Sequence, residues 1–326
     1  DDTELSDNII DTNDGNGITG GLNLSNNQVT NNNGHGIDCH DEAQLTGNTI
    51  TGNFNGYGVN GGIYFSNNTI SDNNGYGIEC NVNAELSGNY VQNNDGNGIT
   101  GGLNLSNNQV TDNNGYGIFC NVNNTETEQS ITNNIVSDNM GYGIDCSHLS
   151  ELIDNTIENN QGYAIRSGML FNNNMIINNQ GTAIEASNNA TITNNTIENN
   201  SVDENNSNEY EYAILNGRLI NNNVIRFNNF EGYNLVQSGH LEEFNNNILE
   251  GNSVSSLVSL SSSSSLHVSE NSFISNLSSS NLLNFGGEWT IEDNIIDNNG
   301  NIENTAGAAA FVMASFIGVT YFEVVK

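Results

Sequence analysis

The stretch richest in reactive side chains is Gly34-His35-Gly36-Ile37-Asp38-Cys39-His40-Asp41-Glu42. It brings a thiol, two imidazoles and three carboxylates together, and Asp145 with His148 forms a second group at a different spacing. An imidazole beside a carboxylate can share general acid–base work. Two carboxyl groups about 5–10 Å apart can hydrolyse glycosides. Asp38, Asp41 and Glu42, with Asp72, Glu79, Asp112 and Asp145 further on, supply hard oxygens of the kind that ligate Ca2+, although no contiguous calcium-loop motif is present. The expected cofactor is therefore none, or Ca2+ at Asp38, Asp41 and Glu42.

Two further residue sets recur at fixed places. Cys39, Cys80, Cys120 and Cys146 each stand two positions after the isoleucine of a Gly-x-Gly-Ile run. Period-two alternation puts them on the inward face of Ile37, Ile78, Ile118 and Ile144 as small core residues. Cys120 and Cys146 fall in successive repeats, where in-register Cα atoms lie within reach of a disulfide. Tyr57, Tyr76, Tyr116, Tyr142 and Tyr163 occupy the middle of the same marks. Such a column is either a stacking platform for sugar rings or corner packing.

These residues are positioned by a repeat. The run GGLNLSNNQV occurs at 20–29 and again at 101–110, with GGIYFSNNTI at 61–70. The finer unit is apolar-x-x-Asn-x-apolar-x-x-Asn, and its first asparagines include Asn27, Asn48, Asn68, Asn89, Asn108, Asn134, Asn155, Asn174 and Asn195. Fourteen such units run from Asn8 to Asn299 with a mean period of 22 residues. In the second unit the apolar anchors Leu24, Val29 and Ile37 are five and eight residues apart. An odd offset flips the side chain to the other face of a continuous strand. All three face inward only if the chain turns near Asn27 and again near Asn32, which gives three short strands per coil. Asparagine suits such bends because it tolerates left-handed backbone angles, and stacked coils let each amide bond to the Asn above and below. Helical repeats fail, because no segment holds a 3.6-residue apolar period over ten residues. The expected fold is an all-β, right-handed parallel β-helix, a solenoid of about 14 coils with stacked Asn ladders.

The coil pattern, in segments such as DNTIENNQGYAI (154–165), resembles the parallel β-helix repeats of the pectate-lyase-like superfamily over residues 5–300. The F-x-x-N segments (Phe65–Asn68, Phe171–Asn174, Phe244–Asn247) and the Gly-Gly-aliphatic segments at 61–63 and 101–103 are similar to passenger repeats of polymorphic outer-membrane autotransporters. Residues 35–40 are similar to the Tyr-Gly-aromatic-Asp-Pro-His signature of β-helical alginate epimerases, with His35, Ile37 and Cys39 in place of Tyr, the aromatic and Pro. That likeness implies catalytic roles for Asp38 and His40. Sibling coils carry Asn81, Asn121 and Ser147 where His40 stands, which keeps a solvent-facing turn open as the other reading.

Composition bounds the function. Asparagine accounts for 71 of 326 residues, proline is absent, and one Lys and three Arg against 38 acids leave a net charge of −34. Such a chain has no cations to displace counterions from nucleic acid or to hold an anionic membrane. Uronate polymers also need cations to bind their carboxylates and stabilise developing charge. Residues 1–302 read as one β-helix without linkers, with longer acidic loops at 121–129 and 201–210 and a Ser-rich continuation near 250–285. The apolar segment 303–326 reads as a cap, a docking surface or an anchor. The chain opens at Asp1 without a signal-like segment, as a processed mature form would. Two roles follow as expectations. The first is a non-catalytic extracellular or surface protein (filament, sheath or adhesin) that associates with itself. The second is a carbohydrate-active β-helical enzyme, with Asp38, His40, Asp145 and His148 as its catalytic candidates.

Overall fold

The computed structural model describes residues 3–121, 128–202, 211–261, 266–286 and 289–304. Most of both expected acidic loops, residues 262–265 of the serine run and the apolar tail from 305 onward lie outside the described residues. The chain groups into two compact units, Asp1–Gln161 and Gly162–Lys326.

In the first unit each coil carries three short strands, as in Asn23–Ser25, Gln28–Thr30 and Ile37–Asp38. Every strand pairs in parallel with its counterpart one coil on, in register. One column runs Leu5, Leu24, Leu45, Phe65, Leu86, Leu105, Ile131 and Leu152. The second runs Ile10, Val29, Ile50, Ile70, Val91, Val110, Val136 and Ile157. The third runs Ile18, Ile37, Val59, Ile78, Ile99, Ile118 and Ile144. Beyond the first coil these side chains are almost wholly buried. Each contributes roughly 1.5–3 kcal/mol by leaving water, so the three columns supply the main driving force of the coil. The predicted anchors Leu24, Val29 and Ile37 head this pattern.

Between the strands lie the asparagine ladders. Asn48 shows the bonding of one rung. Its Nδ2 donates to Asn68 Oδ1 (3.0 Å) and to the Leu24 carbonyl (2.8 Å). Its Oδ1 accepts from the backbone N and the Nδ2 of Asn27, both at 3.0 Å. A buried amide has two donors and one acceptor oxygen with two lone pairs, and all are used. The first ladder continues through Asn89, Asn108, Asn134 and Asn155. A second passes through Asn13, Asn32, Asn53, Asn73, Asn94, Asn113, Asn139 and Asn160.

The bend and the ladder belong to different residues. The ladder asparagine was expected to supply the left-handed backbone, but its predecessor does: Asn26 (φ 54°) before Asn27, Asn31 (φ 54°) before Asn32, Gly47 (φ 65°) before Asn48. The doubled Asn-Asn of the repeat is thus one residue that turns the chain and one that ties it to the next coil. Asn, Asp and Gly fill nearly all such positions because they tolerate this conformation cheaply.

The second unit keeps the same columns, with Phe171, Ile192, Ile220, Phe244, Val268 and Ile291 in one and Ile176, Ile197, Ile225, Leu249, Phe273 and Ile296 in another. Its ladders run Asn174, Asn195, Asn223, Asn247, Asn271, Asn294 and Asn179, Asn200, Asn228, Asn252, Asn276. Three separate strands per coil do not persist to the last described coils. From residue 229 the third strand lengthens, as Asn229–Ser238 and Ser253–Ser261, and in Ser272–Gly286 and Ile295–Asn304 it merges with the second. The Gly-x-Gly corner that separates them earlier is absent from the two merged strands, and serine does not force the chain to turn. The Ser-rich stretch continues the β-helix.

Two substitutions test this account. Asn68→Ala removes both donors and the acceptor of one rung and strands buried groups on both sides, so it should destabilise the fold by about 3 kcal/mol in denaturant unfolding. Phe227 occupies a bend position at φ 56° where most other coils have Asn, Asp or Gly. Phe227→Asn should raise stability by about 1 kcal/mol by relieving that strain, measured the same way.

Candidate functional site

Asp38 lies in an outward column that registers Thr19, Asp38, Asn60, Glu79, Thr100, Phe119 and Asp145. Its two carboxylate oxygens are both engaged by coil neighbours: Oδ2 accepts from Asn16 Nδ2 (3.1 Å) and Oδ1 from Asn60 Nδ2 (2.9 Å). Asp38 is thus a rung in an outer ladder. Asp145 stands five coils on, about 24 Å away at the spacing of paired strands. It is buried, with Asn121 Nδ2 at 3.3 Å. The candidates Asp38, His40 and Asp145, His148 therefore do not converge on one site.

His40 opens a tight turn. Its carbonyl accepts from Ala43 N (2.9 Å) and from Gly62 N of the next coil (3.0 Å), while the residue as a whole is exposed. The same turn recurs with Ala84 N on Asn81 O and Ser150 N on Ser147 O. The exchange of His40 for Asn81 and Ser147 is explained by this: the backbone makes the turn, and buried Ala43, Ala84 and Ser150 close it. His148 is exposed in the turn that Ser147 opens.

Two shallow recesses border this region. One, of about 360 Å³, is lined by Leu22, His40, Asp41 and Glu42. The other, of about 260 Å³, is lined by Asp41, Asn60, Gly61, Glu79, Cys80, Asn81 and Val82. Asp41 borders both. Among the described residues no group of three or more His, Cys, Asp or Glu is placed to hold a metal ion, so the proposed ligands Asp38, Asp41 and Glu42 do not form such a group.

The tyrosines pack on one another. Tyr57 and Tyr76 stack with centroids 4.8 Å apart, His35 covers Tyr57 at 5.0 Å, and Tyr116 stacks on Tyr142 at 4.7 Å. A Cβ at Gly96 would strike the Tyr76 ring, and one at Gly141 the ring of Tyr116. At Gly75, Gly96 and Gly141 the first glycine of the mark is needed because the aromatic ring of the coil before rests against its backbone. Tyr163 is buried. Ring faces in these coils are spent on packing, and sugar stacking would need them free.

The cysteines sit in the position the alternation predicts, with glycines between them. Gly61 and Gly101, at φ 93° and 100°, occupy the coils that follow Cys39 and Cys80, and a Cβ there would collide with the carbonyls of those cysteines. Cys120 and Cys146 are neighbours, with Cys120 N bonded to Asp145 O (2.8 Å), and the structure carries them as buried thiols, so the disulfide considered above is not formed in it. Burial, aided by Asp38 beside Cys39, pushes the Cys39 thiol up to about 12, and burial does the same for Cys146. Cys80 and Cys120 are pushed up further.

Two features escape a reading of the repeat. Gln129, almost wholly buried, accepts from Ser147 N and Ser150 Oγ at 2.9 Å and donates to the Cys120 carbonyl at 2.8 Å. It secures the return from a long loop, and only its place two residues before the anchor Ile131, where other coils carry Ala43 and Ala84, could have marked it. A third recess, of about 270 Å³, lies in the second unit between Tyr212, Gly232, Tyr233, Asn234 and Gln237. The three arginines each meet a glutamate of an adjacent coil: Arg166–Glu185 at 3.5 Å, Arg218–Glu242 at 3.1 Å and Arg226–Glu198 at 2.8 Å.

Residues 59–160 match the family model described as a right-handed β-helix region. Among solved structures the chain is similar to a point mutant of the periplasmic alginate epimerase AlgG, with 11% identity, 96% of this chain and 73% of that chain covered, and a TM-score of 0.22. No curated protein matches the chain.

The thiol environment gives a sign for pH. Between the ordinary value of 9.0 and about 12, the unfolded chain releases the Cys39 and Cys146 protons while the folded chain keeps them. This stabilisation is complete below pH 9 and is lost as pH rises through that window. Denaturant unfolding from pH 8 to 11 should show falling stability, and a Cys39→Ala, Cys146→Ala variant should show a shallower fall. Iodoacetamide at pH 8 should label the native thiols far more slowly than the unfolded ones.

Proposed function

We propose that this chain is a non-catalytic structural or surface-displayed repeat protein that works outside the cell. The observation that supports this most is the state of Asp38: both oxygens are bound by asparagines of the coils on either side, so the best catalytic candidate serves the scaffold. Its partner candidate His40 belongs to a turn that other coils build with Asn or Ser. The fivefold rung separation from Asp145 removes the second carboxylate from reach. An extracellular setting fits a surface carrying 38 acids and four basic residues. Cations then associate diffusely along the acidic columns, relieving self-repulsion without a dedicated cage.

A second reading, a carbohydrate-active enzyme, draws support from the recess shared by Asp41 and Glu79. Its substrate would be uncharged or bridged by Ca2+, because each arginine already faces a glutamate. A polysaccharide panel of neutral and uronate polymers, assayed for reducing ends, unsaturated products and epimerisation with and without Ca2+, decides between the two. No turnover is expected on any polymer. Turnover overturns the structural reading, and the Asp38→Ala, His40→Ala and Asp41→Ala variants then show which carboxylate or imidazole performs it.

A further inference from the structure

The third recess arises where the repeat loses its register. The marks EYAI (211–214) and GYNL (232–235) align Ile214 with Leu235 in the sequence. In the structure Ile214 pairs with Val236 and Leu215 with Gln237, one residue later. Against the following coil the same strand, Asn229–Ser238, is irregular between Phe230 and Asn234, which face Val254 and Ser256, so two extra residues bulge there, with Gly232 at φ 88°. A bulge of this kind re-aims the side chains beside it. Tyr233 is displaced from the position that Tyr212 holds in its own coil, and it stands half-exposed while Tyr212 is buried. Gly232 keeps the space open, since nothing lies within 4 Å of where its Cβ would be.

What lines this opening is chemically selective. Two phenol rings, two carboxamides and one glycine surround about 270 Å³. Asn234 Nδ2 donates to Gln237 Oε1 at 2.9 Å, which fixes both amides. That bond leaves the Asn234 carbonyl oxygen as an acceptor and the Gln237 amide nitrogen as a donor toward a ligand. Adjacent hydroxyls of a sugar ring, each able to donate and accept, match such a pair, and the apolar face of the ring matches the aromatic wall. The charge nearby is negative: Glu211 and Glu231 flank the tyrosine positions, and no Lys or Arg lines the recess. An anionic sugar is disfavoured there.

We infer that Tyr212, Tyr233, Asn234 and Gln237 form a binding site for an uncharged pyranose unit of a polysaccharide. The site holds its ligand without turning it over, and so goes beyond the structural role proposed above.

Titration of the full chain with cellopentaose, xylopentaose and mannopentaose, and with trigalacturonate as the anionic counterpart, tests this by calorimetry and by perturbation of tyrosine resonances. At least one neutral oligomer should bind with Kd near 1 mM, as expected for one small open site. Gln237→Ala and Tyr233→Ala should each weaken it about 10-fold, with thermal unfolding unchanged for Gln237→Ala, while Tyr76→Ala leaves binding intact. The inference is overturned if no neutral oligomer binds at about 10 mM, if binding survives both recess substitutions, or if trigalacturonate binds as tightly. None of those results touches the structural reading, which fails only on turnover.

Discussion

The primary carboxamide of asparagine is the group on which this structure depends. It is short, so the backbone it serves stays close, and it carries donors and an acceptor in one plane. Stacked at the spacing of paired strands, one amide meets the next with nothing left over, as the four bonds of Asn48 show. Aspartate would lack the donors, and glutamine would place the amide one methylene too far. Apolar columns drive the coil closed, but they are tolerant of exchange among Leu, Ile, Val and Phe. The ladder is not tolerant, and it fixes where each coil must bend.

That constraint decides where chemistry can appear. Any outward residue in a registered column is at strand spacing from its counterparts, and polar ones find each other, as Asp38 does with Asn16 and Asn60. Thr51 and Ser71 do the same at 3.0 Å, and Ser137 and Thr111 at 3.1 Å. A regular solenoid therefore tends to neutralise its own reactive groups. Departures from the repeat are where side chains escape this pairing, and the bulge at Gly232 is the departure with a recess beside it.

Much of this was legible in the sequence, for a physical reason: a period-22 pattern of apolar and amide residues has few structural solutions. The anchors Leu24, Val29 and Ile37, the paired asparagines and the buried Cys120 and Cys146 lie where spacing put them, while Cys39 and Cys80 are only half-buried. The division of labour in Asn-Asn was hidden, because both residues are the same type and only the backbone angle separates them. The merging of the second and third strands from residue 272 was hidden as well, since hydrophobic spacing reports which residues face inward and says little about a corner built from serine. The recess escaped for a sharper reason. GYNL imitates the repeat so closely that the one-residue slip to Val236 is visible only in the pairing.

The ladders also have a sense of direction. In the described rungs one Nδ2 hydrogen is given to the asparagine of the following coil and the carbonyl oxygen accepts from the asparagine of the preceding one, as in Asn8 to Asn27 and Asn247 to Asn271. Unlike the backbone of a strand, whose dipoles alternate, these side-chain dipoles add. Each ladder is a polarised wire of amides in which one bond strengthens the next. Its two ends are chemically different, one offering oxygens and the other hydrogens, much as a helix does. Any coil that extends such a stack must arrive with the matching polarity, so the side chains, independently of the hydrophobic core, enforce parallel growth.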